Sequence, residues 1–370
     1  MATITEDALA KLRERVGTVR LSREEPTLEE ATKDAIRHWV RAIGDRDPRW
    51  TDEGYASMTP AGGLVAPPSM LYAFSLQAIG DRSGLPGVHS LFGGADHEWY
   101  LPIRRNDRID VVVTLSDVEL RRGAFAGRSV KQTSEVVFAN QHGKIVARSW
   151  PWGIRTERSA SSSGAKHQDL EPAHYSEDDI AAIAKAYAGE PAMIRGAEPR
   201  YWEDVAEGES LGQLIRGPWT ATNSICFLRV YGGQFLKTHS YWFEYLARHP
   251  RAGLPNAQGV PEGPSRGHWD SDFARTLGIP AAYDFGPERI AWLCTFATYW
   301  AGEHGWLRRL RAELRRFNLQ GDLTTISGRV VSKEIDDGDH IVHCHAQATD
   351  QRGVITAFAD IDITLPPRAA

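Results

Sequence analysis

The stretch PERIAWLCTFATYWAGEHGWL, from Pro287 to Leu307, decides the fold. Its apolar residues would lie around most of the circumference of a helix, which predicts a helix buried on nearly all sides. Pro287 suits the first turn of that helix, because the N–H that proline lacks would have no intrahelical partner there. A helix of this kind must be wrapped by other elements, and the flanking sequence predicts what they are.

Runs rich in β-branched and aromatic residues supply the covering layer. Several of them alternate between apolar and polar residues, which predicts strands with one packed face and one solvated face. The predicted strands are 97–103, 108–120, 129–140, 144–154, 324–335, 340–350 and 354–365. The run SMLYAFSLQAIG, residues 69–80, is predicted as a second long helix. The fold class is therefore α+β, with a curved antiparallel sheet wrapped around a buried helix, made twice.

Three pairs of segments repeat in the same order along the chain. NQHGKIVA from Asn140 matches DQRGVITA from Asp350, an offset of 210, and Asp107 in one strand turn matches Asp322 in another, an offset of 215. WTDEGYA from Trp50 matches HWDSDFA from His268, an offset of 218. Each match alone is weak, but three in one order at a nearly constant offset predict an internal duplication.

The two copies are joined by a polar segment. RTERSASSSGAKHQDLEPAHYSEDD, residues 155–179, is poor in large apolar residues and is typical of a linker, and a short helix follows it with Ser176 as its N-cap. We therefore predict an N-terminal domain over 1–155, a linker with a short helix over 156–197 and a C-terminal domain over 198–370.

Composition excludes several classes of function. The net charge of −5 over 370 residues argues against nonspecific nucleic-acid binding, which needs a basic surface. The three cysteines are far apart, and no metal-ligand cluster has convincing spacing. There is no apolar signal segment and no apolar run of the roughly 18 residues that a membrane span requires. We expect a cytoplasmic protein with no membrane partner and no metal.

Three segments carry a family resemblance. IRHWVRAIGDRDPRWTDEGYA (36–56), HEWYLPIRRNDRI (97–109) and EPRYWEDVAEGESLG (198–212) resemble the MaoC-like dehydratase family, the hot-dog-fold enoyl-CoA hydratases, in its fused double hot-dog form. The resemblance covers both halves except the linker and residues 233–266. It implies two repeats, each with a long central helix wrapped by an antiparallel sheet, and one continuous sheet formed side by side from the two.

The resemblance also implies where an active site would lie. In the family pattern Gly-Asp-x-Asn-Pro-x-His-x-Asp, the first Asp and the His act on a water and on the substrate. The first half keeps Asp45 but has Trp50 in place of the His, whereas the second half has His268 but Gly263 in place of the Asp. We expect Trp50 to fill the first site and Asp45 to be structural. His268 is the predicted principal acid/base group, because imidazole titrates near neutrality.

The carboxylate that would replace the missing Asp has two candidates. Asp284 precedes the central helix, and we expect it to approach His268 across one pocket and to raise the pKa of His268. Its alternative roles are a helix cap or an ion pair with Arg289. Glu262 is six residues before His268 and is the second candidate. Asp270 is better suited to capping the short helix that follows it.

The remaining candidate residues are a glycine that the resemblance places at the helix start and several aromatic and basic residues nearby in the sequence. The N–H of Gly286, at the start of the central helix, would hold the thioester oxygen. Tyr283 would donate a hydrogen bond or only pack. The predicted substrate-binding residues are Arg266, Trp269, Arg289, Arg315 and Arg316. The last two belong to an arginine-rich run that would meet the phosphates of coenzyme A or form a solvated helix or strand face.

The resulting hypothesis is an acyl-CoA hydratase/dehydratase that adds water to a 2-enoyl-CoA thioester or removes it from a 3-hydroxyacyl-CoA. It needs no cofactor beyond the coenzyme A of the small-molecule acyl thioester itself, and we expect a homodimer or a hetero-oligomer. The alternatives are a catalytically incomplete hot-dog subunit that binds acyl-CoA or a partner chain, and an acyl-CoA thioesterase, which would release a free thiol.

Overall fold

The computed structural model describes residues 4–20, 26–85, 87–123, 127–157, 172–233 and 235–368. Their main feature is a ten-stranded antiparallel sheet wrapped around a helix, so the predicted α+β class is confirmed. Residues 158–171 of the predicted linker lie outside the described part of the chain. The predicted boundary near 155 falls at the end of the fifth strand and the one near 198 falls before the sixth, and both stay predictions.

The strands are numbered in chain order. They are β1 (Val19–Arg20), β2 (His89–Trp99), β3 (Ile109–Gly123), β4 (Gly127–Asn140), β5 (Ile145–Thr156), β6 (Ser210–Arg216), β7 (Leu254–Pro255), β8 (Pro261–Glu262), β9 (Trp306–Leu314), β10 (Thr324–Asp336), β11 (Asp339–Asp350) and β12 (Ile355–Thr364). Six of the seven predicted strands correspond to one of these, whereas the predicted strand 97–103 overlaps only the end of β2, which begins at His89 and ends at Trp99. The arginine-rich run that was predicted as helix or strand is the strand β9.

The helices are numbered in the same way. The α-helices are α1 (Glu6–Arg13), α2 (Lys33–Ile43), α3 (Glu53–Met58), α4 (Glu177–Gly189), α5 (Ala221–Tyr231), α6 (His239–Arg248), α7 (Ser271–Thr276) and α8 (Gly286–Ala301). Short 3₁₀ helices span Pro48–Trp50, Pro68–Ala73, Leu76–Ile79, Glu190–Met193, Trp202–Asp204 and Pro264–His268. Ser176 caps α4 as predicted, since its hydroxyl accepts from Asp179 N at 3.2 Å. None of the described helices has the length and apolarity to cross a membrane.

The two halves of the chain meet in the middle of the sheet. Its strand order is β1-β3-β4-β5-β2-β9-β12-β11-β10-β6, so each half contributes five strands in mirrored order. The strands β2 and β9 pair antiparallel, from Gly94 opposite Glu313 to Glu98 opposite Arg309. The predicted side-by-side joining of two sheets into one is therefore confirmed.

The helix α8 is the buried element that the sequence predicts. Every residue from Pro287 to Ala301 is buried, with Pro287 in the first turn. Gly302, whose φ is +72°, ends the helix by donating its N–H to the carbonyl of Thr298 at 3.1 Å. Strands from both halves contact the helix. It therefore forms the centre of a core that the two halves share.

The corresponding segment of the first half is not the predicted long helix. Residues 68–79 form two 3₁₀ helices, interrupted at Ser75, whose backbone is extended with φ −160°. The Ser75 hydroxyl accepts from Gln77 N at 3.0 Å and so starts the second 3₁₀ helix. Pro67 and Pro68 also remove two backbone donors at the beginning. The apolar pattern identified a buried segment correctly but not its helix type.

The duplicated turns match atom for atom. Asn140 Oδ1 accepts from His142 N and Lys144 N, each at 3.1 Å, and Asp350 Oδ1 accepts from Arg352 N and Val354 N, each at 2.9 Å. The second repeated pair agrees as well. Asp107 accepts from Gln141 Nε2 at 3.0 Å, and Asp322 accepts from Gln351 Nε2 at 2.9 Å. The predicted equivalence of the two hairpins is confirmed.

The second half contains an insertion between its first helix and His268. The helices α2 and α5 are capped by Thr32 and Thr220, an offset of 188, and end at Gly44 and Gly232, which have the same offset. The offset at Trp50 and His268 is 218, and 218 − 188 = 30, so about thirty residues have been added. The added residues include α6 and the β7–β8 hairpin. The insertion therefore lies within residues 233–266, the stretch that the family resemblance does not cover.

Candidate functional site

His268 ends a 3₁₀ helix and packs against the start of α8. Its Nδ1 lies 2.7 Å from the carbonyl oxygen of Tyr283. Because a carbonyl only accepts, Nδ1 carries the proton and donates, which leaves Nε2 as an unprotonated acceptor. No described side chain forms a hydrogen bond with Nε2, and the only other hydrogen-bonding neighbour of the imidazole among the described residues is the Asp284 backbone. Nε2 is not among the buried polar atoms that lack a partner. The basic nitrogen of the imidazole is therefore open to a ligand.

The packing of His268 determines its protonation state. The imidazole stacks on Phe285, with ring centroids 3.7 Å apart, and also contacts the ring of Tyr283. Burial lowers the pKa of His268 to about 4, because desolvation disfavours the imidazolium. The expected increase in this pKa is therefore wrong, and His268 is neutral at physiological pH.

Asp284 does not face His268. Its carboxylate accepts two hydrogen bonds from the guanidinium of Arg289. Arg289 Nε donates to Oδ2 at 2.8 Å, and Arg289 Nη2 donates to Oδ1. Asp284 and Arg289 are 3% and 2% exposed, so this is a buried ion pair. Because the carboxylate is fully engaged, the predicted approach of Asp284 to the imidazole is wrong, and the alternative ion pair is confirmed.

Arg289 also holds the strands around the helix start. Its Nη1 donates to the carbonyls of Arg316, at 2.7 Å, and Thr356, at 3.0 Å. With the ion pair to Asp284, these bonds leave its guanidinium committed to the protein. The predicted substrate-binding role of Arg289 therefore has no support from its geometry.

Glu262 and Arg266 form an ion pair that stabilises the loop carrying His268. Arg266 Nη1 donates to Glu262 at 2.9 Å, and its guanidinium lies 4.1 Å above the ring of Phe273. Asp270 accepts from Phe273 N at 2.9 Å, so it caps α7 as predicted. Trp269 is partly buried against the main core. These contacts fix the loop, and neither Glu262 nor Arg266 is hydrogen-bonded to His268.

Arg315 and Arg316 lie at the end of β9 with exposed side chains. Arg315 Nη1 donates to Glu313 at 3.3 Å, and its guanidinium lies 5.7 Å from the ring centroid of Phe358. No described residue pairs with the guanidinium of Arg316. Their predicted contact with coenzyme A phosphates stays a prediction.

Gly286 is required for close packing at the start of α8. A Cβ atom at this position would lie 2.5 Å from side-chain carbons of both Leu314 and Phe92. The N-cap residue Phe285 makes no side-chain cap bond, and no described acceptor binds the Gly286 N–H. A free N–H at the positive end of a helix dipole can stabilise an anionic oxygen. The predicted oxyanion role of Gly286 is compatible with this arrangement and stays a prediction.

Two residues near His268 were not predicted from the sequence. Tyr231 ends α5 and packs against Phe285, with ring centroids 6.0 Å apart. Arg82 comes from the first half, and its positive charge contributes to the lowered pKa of His268 after the larger effect of burial. Arg82 also interacts electrostatically with Tyr231 and Tyr283, and burial raises the pKa of both tyrosines to about 12. No motif marks either residue, because Tyr231 reaches the site through packing within the second half and Arg82 through packing between the halves.

A cavity of about 420 Å³ lies elsewhere, and Pro172 and Ala173 are among its lining residues. It is lined by residues 278–281 and 319–320, with Arg275 and Arg352 at its margin. Both arginines are already paired, Arg275 with Asp272 and Arg352 with Asp322 at 2.7 Å. His268 does not line this cavity, so the candidate site and the cavity are different places.

The equivalent position in the first half is closed. Trp50 is only 4% exposed, and the guanidinium of Arg49 lies 4.5 Å from its ring centroid. Arg49 donates to the carbonyls of Thr298 and Gly302, each at 3.0 Å, and so caps the end of α8. The first-half loop therefore supports the central helix of the second half.

Asp45 is part of the same support. Its oxygens accept from Asp47 N and from the Thr295 hydroxyl on α8, each at 3.0 Å. Burial raises the pKa of Asp45 to about 6, although these hydrogen bonds oppose the shift. The contacts agree with the structural role expected for Asp45.

The sequence is similar to hydratases and dehydratases. Residues 21–149 match the family model of the FAS1-like dehydratase domain region. The 3-oxo-4,17-pregnadiene-20-carboxyl-CoA hydratase alpha subunit of Mycobacterium tuberculosis is 26% identical over 159 residues, covering 37% of this chain and 48% of that protein. A probable enoyl-CoA hydratase alpha subunit of Thermomonospora curvata is 26% identical over 129 residues, covering 30% and 40%. The matches thus span about half or less of these relatives.

Solved structures show the fold over nearly the whole chain. A MaoC-like dehydratase superposes with a TM-score of 0.65 at 17% identity, covering 96% of this chain and 99% of that one. A conserved hypothetical protein of Mycobacterium tuberculosis with a double hotdog fold superposes with a TM-score of 0.56 at 10% identity, covering 95% and 96%. The chain has the double hot-dog fold, and its resemblance to the MaoC-like dehydratase family is confirmed.

Proposed function

We propose that this chain is an acyl-thioester hydratase/dehydratase that uses the site of its second half. The observation that carries the proposal is the state of His268: a neutral imidazole whose Nδ1–H is held by the Tyr283 carbonyl while Nε2 is open. The free N–H of Gly286 begins α8 one residue beyond the Phe285 ring on which His268 stacks. This proximity of His268 to the start of α8 supports a site in which a base and an oxyanion donor act on one substrate.

Hydration needs only these two groups and a water molecule. His268 Nε2 takes a proton from water while the water oxygen bonds to C3 of the enoyl thioester. The electron pair of the C2–C3 double bond moves towards the thioester oxygen, where the Gly286 N–H stabilises the negative charge. The imidazolium then donates its proton to C2. Dehydration is the same sequence reversed, with the imidazolium protonating the leaving hydroxyl.

A purified-chain assay tests this proposal. Crotonyl-CoA is incubated with the wild type and with His268→Gln, and the loss of the conjugated enoyl thioester is followed by its ultraviolet absorbance. We expect the variant to be slower by roughly 10²–10⁴-fold, the contribution of a general acid/base group. His345→Gln is the matched control, because His345 is exposed and paired with Asp360 on the sheet surface. Equal rates for the wild type and His268→Gln would overturn the proposal, and release of free thiol would favour the thioesterase alternative.

A second candidate function is a catalytically incomplete subunit. The position of the family Asp is a glycine whether it is counted forward from α5, as Gly233, or back from His268, as Gly263. No carboxylate among the described residues is hydrogen-bonded to His268. Both relatives named above are alpha subunits, a name that belongs to those proteins. Under this candidate the chain alone hydrates no enoyl-CoA and gains activity only with a second chain, which co-expression and measurement of complex mass would reveal.

A further inference from the structure

Arg82 reaches the second-half site from a firmly anchored loop of the first half. Asp81 N donates to the Ser134 hydroxyl at 2.9 Å, and the buried Arg155 donates to the backbone carbonyls of Arg82 and, at 2.8 Å, of Leu85. These bonds hold the loop on β4 and β5. These bonds fix the backbone of Arg82 and therefore the position from which its side chain extends.

The path of the side chain leads towards the start of α8. The Cδ atom of Arg82 lies 3.9 Å from the position that a Cβ atom on Gly153 would occupy. The aliphatic part of the Arg82 side chain therefore passes over Gly153, which has no side chain of its own. Gly153 pairs with Phe92 across the ladder between β5 and β2. The ring of Phe92 is in turn the one that packs against Gly286. Arg82 therefore approaches the helix start along the seam between the halves.

The guanidinium of Arg82 has no hydrogen-bond or ion-pair partner among the described residues. Its side chain is exposed, yet burial by surrounding protein lowers its pKa, a combination that indicates a cleft. The hydroxyls of Tyr231 and Tyr283 and the Nε2 of His268 also lack partners in the described part of the chain. None of these atoms is sealed from solvent. Arg82 thus interacts electrostatically with three polar groups that also lack a partner among the described residues.

The cleft carries excess positive charge. The nearby carboxylate of Asp81 is already bound by Arg15 at 2.6 Å. Arg155 is a second guanidinium close to Arg82, and the charge of Arg82 lowers its pKa after the larger effect of burial. His268 is neutral and the two tyrosines are not ionised. An anion that enters the cleft would therefore be attracted by guanidinium charge that no free carboxylate offsets.

We propose that Arg82 binds a carboxylate on the acyl group, so that the substrate is a coenzyme A monothioester of an unsaturated dicarboxylic acid. A planar guanidinium can bind a carboxylate through two parallel hydrogen bonds, and the neutral tyrosine hydroxyls can donate further ones. The phosphates of coenzyme A are the other anions available. The length of the pantetheine arm separates them from the thioester, whereas Arg82 is near enough to His268, the group that would act on the acyl carbons, for its charge to lower the pKa of that imidazole.

Binding of unreactive thioesters tests this inference apart from catalysis. Glutaryl-CoA carries a terminal carboxylate, butyryl-CoA does not, and neither has the double bond that is hydrated. Calorimetry should show tighter binding of glutaryl-CoA to the wild type and a loss of at least about tenfold in Arg82→Met, as expected for a hydrogen bond to a charged group. Butyryl-CoA and free coenzyme A should bind both proteins equally. Arg82→Lys keeps the positive charge but cannot form two parallel hydrogen bonds to a carboxylate, so it should recover part of the lost affinity for glutaryl-CoA.

Arg329→Met is the matched control, because Arg329 is exposed on β10 and no described residue pairs with it. Equal weakening of all three ligands in Arg82→Met would assign Arg82 to coenzyme A and overturn the inference, as would no weakening of any. The inference rests on the proposed function only for turnover. If the wild type hydrates no enoyl-CoA yet binds glutaryl-CoA through Arg82, the proposed function fails and the carboxylate site stands.

Discussion

The two halves of this chain share a fold but not a site. Both contribute five strands in mirrored order, and their β4–β5 and β11–β12 turns use the same side-chain bonds. The first half closes its site with Trp50 and begins its central segment with Pro67 and Pro68. The second has His268 and the free N–H of Gly286 at the corresponding places. The two halves therefore have the same strand pairing and the same turn hydrogen bonds, but they differ in the candidate catalytic groups.

The first half has become a support for the second. Arg49 caps the end of α8, Asp45 accepts from Thr295 on that helix, and Arg82 reaches the cleft beside His268. A copy that no longer carries an acid/base pair can use the same loop to position its neighbour. Four measurements test this contrast between a supporting half and a chemical half.

The largest expected effect is on turnover. His268→Gln should slow hydration by roughly 10²–10⁴-fold, whereas Trp50→Phe in the first half should leave turnover unchanged. In the wild type the acidic limb of kcat/KM should lie near pH 4, because the pKa of His268 is lowered to about 4 and only the neutral imidazole accepts a proton. An acidic limb near the ordinary histidine pKa of about 6.5 would contradict the packing described for His268.

The next effect concerns the buried ion pair at the start of α8. Asp284→Ala leaves Arg289 buried without its partner and should lower the free energy of unfolding by about 3–5 kcal/mol. Its control in the first half is Asp34→Ala, which removes the exposed Asp34–Arg37 pair at the start of α2 and should cost less than about 1 kcal/mol. Denaturant unfolding measures both, and equal losses would show that burial of the ion pair does not matter.

Asp45 should reveal its burial through the pH dependence of stability. The folded-state pKa of about 6 exceeds the ordinary aspartate value, so protonation favours the folded chain. Stability should fall as the pH rises from about 4 to 6, and the ionised group should cost up to about 3 kcal/mol at neutral pH. Asp45→Asn removes this cost, so its advantage over the wild type should grow across that range and then stay constant. A pH-independent difference would contradict the assignment.

The smallest effect compares the duplicated hairpins. Asn140→Ala removes two hydrogen bonds to turn N–H groups and should cost about 1 kcal/mol. Asp350→Ala removes the equivalent bonds and also the ion pair with Arg352 at 2.8 Å, so its cost should be greater. Thermal unfolding of the two variants provides the comparison. A larger loss from Asn140→Ala would show that the two turns are not equivalent in energy.

The architecture could be predicted because it depends on local signals. Alternating residues gave the strands, the apolar run from Pro287 gave α8, and the matching turns gave the duplication. The first-half helix was misjudged because burial of residues 69–80 is encoded by apolarity, whereas the helix type depends on Pro67, Pro68 and the break at Ser75. Asp270 and Ser176 were assigned correctly as helix caps, since capping involves residues close in sequence.

By itself, the sequence determined the repeated strands, the turns and the buried helix, because periodicity and turn chemistry act over a few residues. It also singled out His268 and Gly286 through their place in a family pattern. Only the tertiary structure decided that Asp284 pairs with Arg289, that His268 is neutral with Nε2 open, and that Arg82 reaches the same cleft. These properties depend on burial and on partners brought together from distant parts of the chain, and no local pattern records which side chains will meet.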